Sequence, residues 1–201
     1  MKRAFLWLLL VFILCEGAGS PAWSKQKARI TDLTLVVDRE GVGVSFIVEN
    51  CFSPKIEETI QSGVPVTSFF FVRLSRRRGL WKDKRLATLV FSRRIHYDNI
   101  KKVYQVFLQE TNPPVVFKDF GEAQENMVRV ENVRLIPRKP LDERATYYAS
   151  VKAELEPVKL PFGLENLLFF VPSAQTETDW LVQRFRIGSF VLPKQGGETD
   201  E

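Results

Sequence analysis

The sequence predicts a mainly β fold of the α+β kind. The expectation is one antiparallel, β-sandwich-like domain of about seven or eight strands with two short helices. Three observations lead there. Apolar and polar residues alternate with period 2 along most of the chain. The alternating runs follow one another in hairpin order, separated by turn residues, which favours antiparallel neighbours. Helix-start signals occur at only two places.

In the first strand, Arg29 to Asp38, Leu33, Leu35 and Val37 share a face. Glu40-Gly41 turns the chain. Val42, Val44, Phe46 and Val48 then line one face of a second strand, giving a β-hairpin. Ser53-Pro54 opens a helix, because Ser caps the free N–H groups and proline lacks one where none is needed. That helix runs from Pro54 to Gln61 with Ile56 and Ile60 inward, and Gly63 stands at its C-terminal cap. Thr67 to Arg76 is a strand with Phe69 and Phe71 on one face and Phe70, Val72 and Leu74 on the other, so it is covered on both sides at its start.

After a basic turn, Leu86 to Tyr97 places Leu89, Phe91, Ile95, Tyr97 and also Arg93 on one face, opposite Ser92, Arg94 and His96. Lys101 to Glu110 directs Tyr104, Val106 and Leu108 inward, and Asn112-Pro113-Pro114 ends it. Asp119, with Glu122 three residues later, opens a second helix expected to run to about Val133, its apolar stripe being Ala123, Met127 and Val130. Pro137 and Pro140 mark a loop. Tyr147, Ala149, Val151, Ala153 and Leu155 alternate cleanly with polar partners. Prolines 157, 161 and 172 bracket an irregular apolar stretch, and a last strand lies near Asp179 to Ile187 with Leu181, Phe185 and Ile187 on one face.

The N-terminus is read separately from the fold. Met1-Lys2-Arg3 precedes an unbroken apolar run from Ala4 to Leu14, then Cys15, Glu16 and small residues to Ser20. This is the pattern of a secretory signal. The run falls short of the roughly 20 residues a membrane-spanning helix needs. Ala22-Trp23-Ser24 offers small residues at −3 and −1 for cleavage before Lys25, and Ser20-Pro21-Ala22 is a second option. Leu14 before Cys15 disfavours a lipoprotein cut, which prefers a small residue there. Expected are a cleaved signal over residues 1–24, one domain over 25–190 and a polar tail over 191–201. Localisation is then exported and periplasmic. The mature chain keeps a single cysteine, Cys51, so core packing rather than an intrachain disulfide must hold it. No transmembrane segment is expected after signal cleavage.

The residues resemble a known family. Phe52-Ser53-Pro54, Glu57-Glu58, Gly63-Val64-Pro65-Val66 and the aromatic strand that follows make one signature. Ile95 to Val106, with its two tyrosines, fits as well, as do Tyr148 to Leu160-Pro161 and Thr178-Asp179-Trp180. The chain from about Ala28 to Ile187 is similar to the exported bacterial family called domain of unknown function 4390. The resemblance implies an envelope-exported single domain with no known reaction. It also implies relatives encoded near membrane sensor kinases, and it carries over no catalytic residue.

Chemistry-bearing residues are sparse. His96 is the single histidine, so any imidazole-based device must use it. On a strand face beside Arg94 it reads as a sheet-surface residue. Cys51 reads as a small buried hydrophobe with no local cation to activate it. Glu57-Glu58 reads as a solvated helix face, and Glu154 and Glu156 as neighbours on one strand face. No metal-ligand spacing and no glycine-rich phosphate loop occur, so no catalytic residue, metal or other cofactor is assigned.

Charge is the stronger signal. The formal charge of +5 falls to +4 without residues 1–24. Arg73 to Lys102 holds 11 basic and two acidic residues, so a stretch of +9 stands against a remainder of −5. This charge is expected on one local surface. Its densest part comprises Arg76, Arg77, Arg78, Trp81, Lys82, Lys84 and Arg85, placed at a hairpin tip. Such a tip concentrates positive potential, and Trp81 suits a membrane interface. The function expected is a non-enzymatic envelope domain that binds a partner protein or an anionic membrane surface through the tip. Nucleic acid is not an expected partner for an exported chain, and nothing specifies an oligomeric state. The alternative is a carrier of an apolar or lipid ligand within the sandwich, with Phe162, Leu164, Leu167, Phe169 and Phe170 forming its lid.

Overall fold

A computed structural model of the chain describes residues 27–38, 41–79, 81–109, 113–136, 141–157 and 176–187. The expected signal (1–24), the lid residues Phe162, Leu164, Leu167, Phe169 and Phe170, and the tail (191–201) lie outside the described residues.

Two antiparallel sheets face each other across one core. The smaller has the order β1-β2-β7, from Arg29–Val37, Val42–Glu49 and Arg129–Ile136. The larger has seven strands in the order β10-β8-β3-β4-β5-β6, with β9 also against β8. These are β3 (Val66–Arg76), β4 (Lys84–Asp98), β5 (Val103–Leu108), β6 (Val115–Phe117), β8 (Tyr147–Pro157), β9 (Thr176–Glu177) and β10 (Leu181–Phe185). The expected sandwich-like architecture is observed, with ten strands among the described residues where seven or eight were expected in all. β6 and β9 are too short to show an alternation, and β7 was hidden in the expected second helix.

Helix α1 (Pro54–Gln61) has the bounds its caps predict. Ser53 Oγ accepts from the Ile56 N–H at 3.3 Å. Gly63 leaves the helix at φ +86°, where a side chain would be strained and would collide with Asn99. Helix α2 (Phe120–Val128) starts as expected, Asp119 Oδ1 accepting from the Glu122 N–H at 3.1 Å. It ends at Val128 instead of near Val133, and Val130 belongs to β7. A buried cation from another strand takes over at that point. Arg93 of β4, only 8% exposed, donates through Nη1 to the Asn126 and Arg129 carbonyls at 2.7 and 2.6 Å. Those contacts satisfy carbonyl groups where the helix ladder stops, and the guanidinium suits the negative end of the helix dipole. The chain therefore passes from helix to strand without a loop. Arg93 sits on the apolar face, as its phase requires, because its charge has a use there.

Bulges adjust the phase elsewhere. Ile30 and Leu35 are five residues apart and both buried, which strict alternation forbids. An extra residue between Thr31 and Thr34, with Asp32 at φ +51°, restores the phase. β7 does the same around Asn132 at φ +45°. Asn132 Oδ1 lies so close over Gly43 that a Cβ there would collide with it.

Between the sheets, Phe46 of β2 meets Phe70 of β3 at 5.8 Å, and Phe70 stacks on Phe91 at 5.0 Å. Val66, Val72 and Leu74 of β3, Ile95 of β4, and Ala149, Val151 and Leu155 of β8 fill the rest of that face. α2 covers the far part of the large sheet, Phe120 packing on Tyr104 and Phe52.

Candidate binding site at the basic hairpin tip

β3 and β4 pair along the hairpin from Val66 opposite Ile95 to Arg76 opposite Lys84. Residues 77–83 are therefore the connection, as the sequence suggests. On its other side β3 pairs with β8 up to Arg76 opposite Tyr147. The β3 side of the tip's base is thus held by β8, whereas among the described residues β4 gains a strand on its other side only from Arg93 onward. The loop before β8 adds to this. The buried Tyr147 hydroxyl accepts from the Asp142 N–H at 2.7 Å and donates to the Asp142 carbonyl at 3.0 Å. Thr146 O accepts from the Arg77 N–H at 2.9 Å. Across the tip itself, the Arg78 N–H donates to Asp83 Oδ1 at 3.2 Å.

Arg77, Arg78, Lys82, Lys84 and Arg85 are exposed, and Trp81 is 80% exposed. Arg76 differs from them. Its Nη2 meets Asp142 Oδ2 at 2.7 Å, so its charge is neutralised at the base of the tip. Among the described residues the other five cations form no ion pair. Asp142, Thr146 and Tyr147 are supports that sequence reasoning missed. Asp142 stands 66 residues from Arg76 along the chain, and nothing local links this loop to the tip.

The +9 stretch does not form one surface. β4 has 15 residues and so spans about 45 Å. Lys101 and Lys102 lie at its far end, in the turn to β5. Arg93 is buried under α2. Arg73 lies 4.0 Å over the Trp180 ring and Arg94 4.5 Å over Phe107, both on the outer face of the large sheet. Alternation sends successive arginines of one strand to opposite faces, which a count along the chain ignores.

His96 is half-buried on that outer face, opposite Gln105. The neighbouring Asp98 carboxylate accepts from the Lys101 and Ile100 N–H groups at 2.9 and 3.0 Å, which holds it below the usual carboxylate range. Cys51 is buried, and burial pushes its thiol up to about 12. Glu154 is bound by Lys152 Nζ at 2.8 Å, and the same ammonium reaches Glu177 at 2.8 Å. Glu57 accepts from Gln61 one turn along α1. Among the described residues no three His, Cys, Asp or Glu side chains gather as metal ligands. No helix there is long and apolar enough to cross a membrane.

Two clefts are formed by described residues. One of about 420 Å³ lies beside α2 and is lined by Arg93, Asn126, Glu122, Glu125 and Glu131 among others. The other, of about 350 Å³, lies between the starts of β1 and β10, beside the Lys27–Asp179 ion pair of 2.8 Å. Neither adjoins the tip. No curated protein and no solved structure matches the chain. The sequence model of the family described as "Domain of unknown function (DUF4390)" matches residues 25–184, most of its length, and the chain belongs to that family.

Proposed function

We propose that this is an exported envelope domain that docks on an anionic membrane surface through the β3–β4 tip. The observation that carries this reading is the almost fully exposed Trp81 among five cations that no described carboxylate pairs. An indole left in water at a strand connection stabilises nothing in the fold, whereas at a lipid headgroup its apolar ring and its N–H are both accommodated. Each Arg or Lys near an anionic leaflet contributes about 1 kcal/mol at most, so five give about 5 kcal/mol before salt screening. The base of the tip is built by the pairing of β3 with both β4 and β8, which lowers the ordering entropy that opposes docking.

Co-sedimentation of the mature chain, residues 25–201, with phosphatidylglycerol-containing vesicles tests this. Binding is expected at low salt, with loss at about 0.5 M salt, where screening shortens to a few ångströms. Reversing Arg77, Arg78 and Arg85 to Glu should abolish it, while Arg76, already paired with Asp142, should matter less. Vesicle binding unchanged by the triple reversal, or retention only by an envelope protein, rules the reading out.

A further inference from the structure

Among the described residues β1, β6, β7, β9 and β10 lie at the borders of the two sheets, as does the 84–92 half of β4. All but β10 are guarded, β9 by its two-residue length and β4 by the bulge at Leu86 with Lys84 and Arg85 beside it. β1 is kinked by the bulge at Asp32, and β7 by the irregularities around Asn132, with Glu131 and Arg134 exposed beside it. β6 has only three residues and follows Pro113-Pro114. Bulges, charges, prolines and shortness are the devices that stop a free strand edge from pairing with another chain. β10 has neither a bulge nor a proline, and its one charge, Arg184, does not interrupt its pairing. Its five residues pair in unbroken register with β8, from Leu181 opposite Val151 to Phe185 opposite Tyr147. Among the described residues nothing pairs with its other side. The chain enters β10 through three consecutive large apolar residues, Trp180, Leu181 and Val182, exposed by 36, 37 and 54%.

We propose that β10 is a homodimer edge, at which a second copy of this chain adds its own β10 antiparallel and makes one continuous sheet. The occupant follows from self-complementarity. In a symmetric antiparallel pair, facing residues must share a sheet face, so the two-fold axis passes beside a single residue. Centred on Arg184, the pairing would oppose two guanidinium groups. Centred on Val182, it would set Phe185 against Asp179 of the second copy. Centred on Gln183, it places Leu181 opposite Phe185 on the core side. On the outer side it places Val182 opposite Arg184 and Trp180 opposite Arg186, an arginine–aromatic pairing like that of Arg73 on Trp180 within one chain. The axis is normal to the sheet, so the two basic tips leave the dimer at opposite ends, clear of the joint. Tip variants therefore do not affect this association.

Sedimentation equilibrium of the mature chain, residues 25–201, between about 1 and 100 µM tests it, a range suited to a small edge interface. A monomer–dimer equilibrium is expected. Val182→Lys sets an ammonium opposite Arg184 and should weaken the dimer about fivefold. Val182→Glu sets a carboxylate there and should tighten it about fivefold, since symmetry counts each pair twice. Val182 is exposed on the outer face, so both variants fold, which circular dichroism checks. Opposite signs for the two variants uphold the Gln183-centred pairing. A monomer throughout the range, no response, or weakening by both variants overturns it.

Discussion

Replacing Arg93 by methionine tests whether a buried cation ends α2. Methionine keeps most of the volume and removes the guanidinium. Two charge-assisted hydrogen bonds are lost, to Asn126 O at 2.7 Å and Arg129 O at 2.6 Å. Bonds of this kind contribute about 1.5–3 kcal/mol each, and buried carbonyls left without a donor cost about as much. Against this stands the relief of desolvating a charge that is 8% exposed, which cancels part of the loss. The net expectation is a destabilisation of about 2–4 kcal/mol. Urea unfolding followed by circular dichroism measures it as a lower midpoint at unchanged slope. Amide exchange should quicken first at Met127, Val128 and Arg129, where the helix meets β7. An Arg93→Met variant as stable as the parent, with α2 exchange unchanged, would refute the reasoning. The charge would then be a net cost and the helix would end for reasons local to its own sequence.

Two further outcomes follow from buried groups. Ser68 is fully buried on the inner face of β3 and its hydroxyl has no hydrogen-bond partner, so Ser68→Ala should stabilise by about 1 kcal/mol in the same urea assay. Cys51 should resist thiol-labelling reagents at pH 8 in the folded chain and react on unfolding, because burial keeps it protonated. Its folded value, about 12, lies above the ordinary thiol value of 9.0. The contribution of this group to stability is therefore complete below pH 9 and is lost as pH rises toward 12, by about 4 kcal/mol at the limit. Cys51→Ser, compared with the parent across that range, isolates the effect.

Much of the fold was legible because it rests on local rules. Ser53-Pro54 and Gly63 bound α1 at its two ends, and Asp119 with Glu122 begins α2 where the capping contact is found. Tyr147 to Leu155 alternates without error and forms the strand next to the centre of the large sheet. The period of the last strand puts Leu181 on the buried face. It does point to that side, and it is exposed because β10 is the last strand of its sheet. The start of β7 was illegible for a different reason. Val128, Arg129 and Val130 continue a plausible helical stripe, and only Arg93, 36 residues before Arg129, stops it.

The candidate site divides along the same line. The sequence by itself determined that Arg77, Arg78, Trp81, Lys82, Lys84 and Arg85 would crowd a hairpin connection, since alternating runs on both sides leave them no other place. Tertiary structure decided which charges are left without an ion pair there. It set Asp142 against Arg76, buried Arg93 and laid Arg73 and Arg94 on aromatic rings. It also carried Lys101 and Lys102 to the far end of β4. Alternation and turn chemistry act over a few residues and can be read along the chain. Charge pairing, burial and free strand edges depend on which distant segments become neighbours, and that is established only when the two sheets close on their common core.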